Sequence, residues 1–436
     1  MKKFLAMLLA VVMVFALAAC GQNGNEGSQP PAGNNNASGN NNASGGSNPS
    51  GGNNAQGNAP ATKHKIVIMS FDVSGALYDA TTAYLDYLSD ALGFEYEYVS
   101  AGFSSQQQIA SAETYLSQGY RGIIMNQDMG GAEAILNLCE DYDAYLGGYW
   151  CDFANSIFAT GAPNMAVLQN DRFVGSAIDG KASYTLVTEA MFDAIVLQDG
   201  HTKVGIATMP AAWYPGQIET GVGHFMELVE AYNAGDKAET NGVPVTVVQT
   251  GTDANGEPMY YEQVDGETQS FSSSFFTNND MTACASLAAS NFTYSALVES
   301  KADVDLYATG WESYYVDDFG SNGHIKQITT SPVETVIFPL VQILDRLNGY
   351  AYDDAPTGEA VFGKLVDTDQ IYNTGDEGLA AFKKSLHYTA DGSTGYFSID
   401  DVKQFMLTFG GEKASYAALC QAINSNNMSI DALKAR

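Results

Sequence analysis

Six short stretches of this 436-residue chain gather side chains able to do chemistry, and each follows an apolar run. They are Phe71 and Asp72; Asn126, Gln127 and Asp128; Trp150 and Asp152; Trp213, Tyr214 and Gln217; Asn278, Asn279 and Asp280; and Trp311 and Glu312. Amides and carboxylates pair with hydroxyl groups in donor and acceptor roles. Flat aromatic rings cover the apolar C–H face of a sugar ring. Together these residue types suit reversible recognition of a carbohydrate. Singly each has a plainer account, since Trp150 fits a core and Asn or Asp at a strand end forms turns. Bond-making chemistry finds less support. The histidines His64, His201, His224, His324 and His387 are scattered, with no HExxH spacing. No GxSxG elbow, Walker loop or GxGxxG is present. No pair of carboxylates is marked out for glycoside hydrolysis. Cys139, Cys151, Cys284 and Cys420 form no CxxC pair, so zinc is not expected and buried free thiols are.

The elements that must position these residues alternate. Lys65–Phe71, Phe94–Val99, Gly122–Met125 and Tyr145–Cys151 read as strands. Helices are expected over Leu77–Leu92, Gln106–Leu116 and Ala132–Glu140. A second series follows, with helices over Val174–Leu197, Ile218–Tyr232, Met281–Ala289 and Val333–Leu347. Its strands are Lys203–Met209, Pro244–Thr250, Phe271–Thr277, Asp305–Thr309 and Ile325–Thr329, with a loop or hairpin at Asn255–Gln269. This rhythm predicts two doubly wound α/β lobes with parallel sheets. In such sheets ligands bind beyond the carboxyl ends of the strands, where the six stretches fall. The end of the chain breaks the pattern, with a strand over Val361–Val366 and helices over Leu379–Leu386, Val402–Phe409 and Tyr416–Ile423.

Fifty acidic against 19 basic residues leave a net charge of −31, which repels nucleic acid. The first residues address the chain outward: Lys2 and Lys3, an apolar run from Phe4 to Ala19, then Leu17-Ala18-Ala19-Cys20. That close resembles the lipobox of bacterial lipoproteins, which implies a lipid on Cys20 and a body held outside the cytoplasmic membrane. Residues 21–62 are Asn, Gly, Ser, Ala, Gln and Pro apart from Glu26 and Thr62, with NNNASG twice in succession. Such a segment buries too little apolar surface to order itself, and as a flexible tether it reaches about 35 Å.

Phe276-Thr277-Asn278-Asn279-Asp280-Met281, with Gly122–Asp128 and the Gln327–Pro332 approach to a helix, resembles type I periplasmic binding proteins. These are the ribose-binding-like sugar receptors of ABC transporters. The resemblance covers most of Lys63–Val366. It implies a non-enzymatic monomer whose lobes, 63–165 plus 330–366 and 166–329, close over a sugar and deliver it to permease subunits. Residues 367–436 would be a C-terminal extension. Residue by residue, it implies ligand contacts at Asn279, Asp128, Phe71 and Asp72. Two departures stand out: Trp311 and Glu312 occupy a place where the family has Asp, and Gln217–Gly221 lacks the family's Arg. A nucleoside or furanosyl signalling molecule is the alternative cargo, and a surface glycan hydrolase the alternative class.

Thr389–Asp401 resembles an EF-hand loop with one extra residue, with Asp391, Ser393 and Asp401 as candidate calcium ligands. A Gly-rich turn closed by an Asp helix cap explains the same residues. No other cofactor is expected.

Overall fold

The computed structural model describes residues 63–71, 73–102, 104–151, 153, 164–177, 180–211, 216–310, 318–319, 323–355, 370–373, 395–424 and 428. The expected signal (1–20), tether (21–62), strand at 361–366 and helix at 379–386 lie outside these residues.

The first sheet is built from β1 (His64–Ser70), β2 (Phe94–Ser100), β3 (Gly122–Met125), β4 (Tyr145–Gly148) and β5 (Phe173–Ser176). All five are parallel, in the order β2-β1-β3-β4-β5. One face is covered by α1 (Gly75–Leu92), whose Tyr84, Leu85, Leu88 and Leu92 are fully buried. The other face carries α2 (Ser105–Ser117) and α3 (Ala132–Asp141), through Ala112, Leu116, Ile135 and Leu136. Apolar residues on both sides of a parallel sheet explain why Ile66–Met69 and Ile123–Met125 read as unbroken runs. A short helix, α4 (Met165–Leu168), precedes β5.

The second sheet repeats this order. β6 (Lys203–Thr208) lies between an edge and β11 (Ala283–Leu287), followed by β12 (Asp305–Thr309) and β13 (Ile325–Thr330). Two short pieces share the edge beside β6: β7 (Thr246–Val247) along its start and β10 (Glu262–Gln263) along its end. Between them stands an antiparallel pair, β8 (Gly251–Thr252) and β9 (Pro258–Met259). Helices α5 (Gly180–Phe192) and α6 (Gly223–Ala234) cover one face, and α7 (Ser274–Asn278) and α8 (Ser290–Ser300) the other. Both lobes are therefore doubly wound α/β sheets.

The chain crosses between lobes after β5, into α5, and after β13, into a short 3₁₀ turn, Val333–Val336, and α9 (Ile337–Leu347). The chain crosses back to the second sheet before β14 (Gln370–Asn373), which lies antiparallel to β13, and is in the first lobe again at residue 395. Residues 395–424, with α10 (Ile399–Gln404) and α11 (Tyr416–Ala422), then dock on the first lobe. Their Tyr396, Phe397, Val402, Phe405 and Leu419 are buried in the same cluster as α1 and α9.

Several expectations are corrected. Val174–Leu197 is not one helix: β5 ends at Ser176, and the helical chain runs from Gly180 to Gln198, its last turn π-wound. The lobe boundary thus falls after Ala177 rather than at 165, and the extension divides between the lobes. Phe271–Thr277 is not a strand, nor Met281–Ala289 a helix; the order is α7, then β11. The small residues Ala283-Cys284-Ala285-Ser286 carry helix propensity, but in mid-sheet all of β11 is buried and no polar face marks its period. The aromatic run Phe271, Phe275 and Phe276 packs as a helical cluster with ring centroids 5.4–6.0 Å apart. Pro244–Thr250 shortens to the two residues of β7.

Close approach of α9 to the first sheet depends on Gly147 in β4, where a Cβ would meet Pro339 Cβ at 2.5 Å and Val174 Cγ2 at 2.8 Å. Gly147→Ala should lower unfolding stability by about 1–3 kcal/mol, as overpacking of a tight core does. Gly216, at a negative φ with nothing within 4 Å of its Cβ position, is the control. Gly216→Ala should leave stability unchanged or raise it by about 0.4–1 kcal/mol. Denaturant melts of both variants check the pair.

Candidate functional site

The crossings after β5 and after β13 leave from carboxyl ends of strands, so the carboxyl edges of the two sheets face the join between the lobes. In each sheet the strand order reverses beside the first strand of the lobe, between β1 and β3 and between β6 and β11. Loops on either side of such a reversal diverge and leave a crevice.

In the first lobe, three polar side chains fix the loop after β3. Asn126 accepts from Phe71 N at 3.1 Å and donates to Ser70 Oγ at 2.7 Å, joining the ends of β1 and β3. Gln108, fully buried on α2, donates to Gln127 O and accepts from Met129 N, both at 2.9 Å. Asp128 Oδ1 accepts from the amides of Gly130, Gly131 and Ala132 at 2.9–3.3 Å, capping α3. Burial pushes the Asp128 carboxyl above the usual carboxylate range, against those amides, which pull it down. With the backbone held, Gln127 is 8% exposed and its Oε1 has no partner. After β4, Trp150 is half-buried at φ +55°, a left-handed conformation costly for a bulky residue. It packs on Tyr149, whose hydroxyl lies 3.1 Å from that of Tyr98.

In the second lobe, Gln217 opens the π-wound turn Gln217–Val222 that leads into α6. It is fully buried; its Oε1 accepts from Met209 N at 2.7 Å, and its Nε2 has no partner. Gln263 on β10 accepts from Ala211 N at 2.8 Å and holds the same loop. Ala288, at the end of β11, has φ +52° and donates to Thr309 Oγ1 at 2.8 Å. At the end of β13, Thr329 and Thr330 are 1% and 4% exposed, and neither hydroxyl has a partner.

Of the residues singled out in sequence, Phe71, Asn126, Asp128, Trp150 and Gln217 therefore stand on carboxyl edges, with Phe71 exposed. Asp72, Asp152, Trp213, Tyr214, Trp311 and Glu312 lie outside the described residues, as do Cys20, Asp391 and Ser393. Asn279 and Asp280 are corrected. They precede β11, so they sit on the amino edge of the second sheet, away from the crevice. There Asn279 donates to Phe275 O at 2.8 Å and Asp280 pairs with Lys203. Asp401 is engaged as a helix cap: its Oδ2 accepts from Ser398 N and Ser398 Oγ at 2.9 and 2.7 Å. Sequence reasoning missed Thr329, Thr330, Gln108 and Gln263. A Thr-Thr pair closing a strand before Ser-Pro was the available signal for the first two.

No family model matches this chain, and no curated protein does. Solved structures do resemble it. One is an ABC transporter solute binding protein from Bacillus halodurans with bound myo-inositol, 14% identical, covering 75% of this chain and all of that one, at TM-score 0.48. Another is a 5-methylthioribose transporter solute binding protein from Thermotoga lettingae, 11% identical, covering 84% of this chain and 99% of that one, at TM-score 0.47. A third is an ABC transporter solute binding protein from Clostridium phytofermentas with bound L-rhamnose, 13% identical, covering 66% and 83%, at TM-score 0.44. Likeness of this degree does not carry their ligands over to this chain.

The Asp128 carboxyl has a pH signature. A raised folded value means its contribution is fully present below the unfolded value of 3.8 and is lost as pH rises through the folded one. Asp128→Asn keeps a side-chain oxygen for the cap and removes the titration. The melting temperature of the variant relative to the native chain should therefore rise between pH 3 and pH 7. A difference that is flat, or that moves in favour of the native chain, contradicts the assignment.

Proposed function

We propose that this chain is the extracytoplasmic receptor of an ABC importer, capturing a neutral carbohydrate between its two lobes and delivering it to permease subunits. The carrying observation is the set of buried, uncharged, unpartnered atoms on carboxyl edges: Gln127 Oε1 in one lobe, and Gln217 Nε2, Thr329 Oγ1 and Thr330 Oγ1 in the other. Leaving a buried polar group unpaired costs about 1–3 kcal/mol. Four of them on the carboxyl edges of the two sheets are accounted for by a ligand that supplies hydroxyl groups of both hydrogen-bonding senses. Phe71 and Trp150 are apolar rings on the same edge of the first lobe. Asp72, Asp152, Trp213, Tyr214, Trp311 and Glu312 belong to this proposed site by their places in the sequence.

In this reading the protein is a monomer without enzymatic activity, held to the outer face of the cytoplasmic membrane by a lipid on Cys20. No helix among the described residues is long and apolar enough to cross a membrane. Calcium in the 389–401 loop would show as a melting temperature lowered by EDTA.

A thermal-shift screen against monosaccharides, short oligosaccharides and nucleosides tests the reading. A sugar at a thousandfold excess over its Kd should add about 4 kcal/mol of stability and be recovered unchanged. A shift with a nucleoside alone would transfer the proposal to the alternative cargo, and product formation would make the chain a hydrolase. Gln127→Met should keep or raise the melting temperature without cargo, because it removes an unpaired buried amide. It should also weaken the sugar about 3- to 10-fold, the worth of one neutral hydrogen bond. Unchanged sugar affinity would remove Gln127 from the site.

A further inference from the structure

The C-terminal residues 395–424 do more than cover the first lobe, because they grip the segment through which the chain re-enters it. The crossing after β13 passes through Ser331 and Pro332 into the turn Val333–Val336. Glu334 in that turn is fully buried, and its Oε1 accepts from Tyr396 N at 2.9 Å. Just beyond, Tyr84 on α1 donates its hydroxyl to Phe397 O at 3.2 Å, and Ile399 N donates to Tyr87 Oη at 3.2 Å. At the far end of α9, Asp345 accepts from Leu407 N at 2.8 Å, Thr408 N at 2.9 Å and Thr408 Oγ1 at 2.7 Å. The helix entering the lobe is thus fastened to the extension at both ends. On the other side of the crossing, β14 pairs with β13 up to Thr330 itself. The first crossing is within reach too, because Pro339 on α9 borders Gly147 beside Val174 of β5, three residues before Ala177.

We propose that the C-terminal extension is a brace on the interlobe crossings. It holds the lobe-1 end of the second crossing rigid, and through α9 the end of β5, so that bending at these two crossings is confined to their few residues. The extension thereby sets how easily the lobes open. Its two attachments make separable demands: the Glu334–Tyr396 bond acts at the crossing, and the Asp345 cluster only keeps the extension docked.

Hydrogen exchange of the full chain without cargo, followed by mass spectrometry, tests this and is indifferent to what the cargo is. Glu334→Gln weakens the bond at the crossing while keeping the side chain's shape. It should speed exchange of the amides in 329–336 by about tenfold, with a smaller rise in 174–177 and none in 283–287, as local opening of one cooperative unit does. Asp345→Asn should speed exchange in 405–412 and leave 329–336 within about twofold. Unchanged exchange at 329–336 in Glu334→Gln overturns the brace. So does an equal rise in both variants, which would make the extension a general stabiliser of the first lobe.

Discussion

Burial of the helix Ile337–Leu347 on every side is the constraint from which the rest of the molecule follows. All residues from Ile337 to Asp345 are buried, including Gln342 and Asp345. A helix at the surface of a sheet shows one apolar stripe, and this one needs a second cover. The sheet of the first lobe supplies one side through the groove at Gly147, and α1 and residues 395–424 supply the other. Because the strand that feeds this helix belongs to the second sheet, its burial in the first lobe joins the two. The same apolar cluster runs from Ile66 and Tyr84 through Val333 and Phe338 to Leu306 and Phe275.

Polar groups in this core are treated in two ways. Several buried side chains that serve the fold have multiple partners: Asp345 has three donors, Asp128 three amides, and Gln108 uses both ends of its amide. Where the strands end toward the other lobe, one end of a side chain is tied and the other left open, as in Gln217, whose oxygen is bonded and nitrogen is not. That half-satisfied state is costly in a fold and suits the proposed receptor, where a bound ligand would complete it. The left-handed Trp150 and Ala288, one at a strand end in each lobe, place backbone strain on the same edges.

The alternation of strands and helices was legible because both lobes keep apolar runs of four to seven residues separated by helical stripes. The strand-end rule expected Asn126, Asp128, Trp150 and Gln217 on carboxyl edges, and that is where they stand. The errors cluster where that rule met a misread element. Taking Phe271–Thr277 as a strand turned Asn279 and Asp280 into strand-end residues, whereas β11 begins after them and puts them on the opposite edge. Val174–Ser176 of β5 was absorbed into a helix because a four-residue strand carries too little period to separate it from the helix that follows. Docking of residues 395–424 was not legible at all, since it rests on partners some 60 residues away or more, such as Asp345 with Thr408 and Tyr84 with Phe397.

Charge is distributed along the strands with a consistent sense, and this bears on what the crevice can hold. Lys65, Arg121, Arg172, Lys203 and Lys326 all stand at the amino ends of strands. Several meet acids there, as Arg172 meets Asp143 at 2.7 Å and Lys326 meets Asp305 at 3.4 Å. Burial would push the Asp305 carboxyl up, but the hydrogen bond from His201 and the charge of Lys326 hold it below the usual range. Among the described side chains no lysine or arginine reaches a carboxyl edge. The amino ends of the following helices do point there, and free amides at a helix start attract anions. At α3 that attraction is already spent on Asp128, and at α2 on Ser104, which accepts from Gln107 N at 3.3 Å. Among the described side chains, an anionic ligand would therefore find the starts of α2 and α3 occupied and no lysine or arginine to meet it. A neutral polyhydroxyl ligand needs neither, and in the proposed site the open ends of Gln127, Gln217, Thr329 and Thr330 would be its partners.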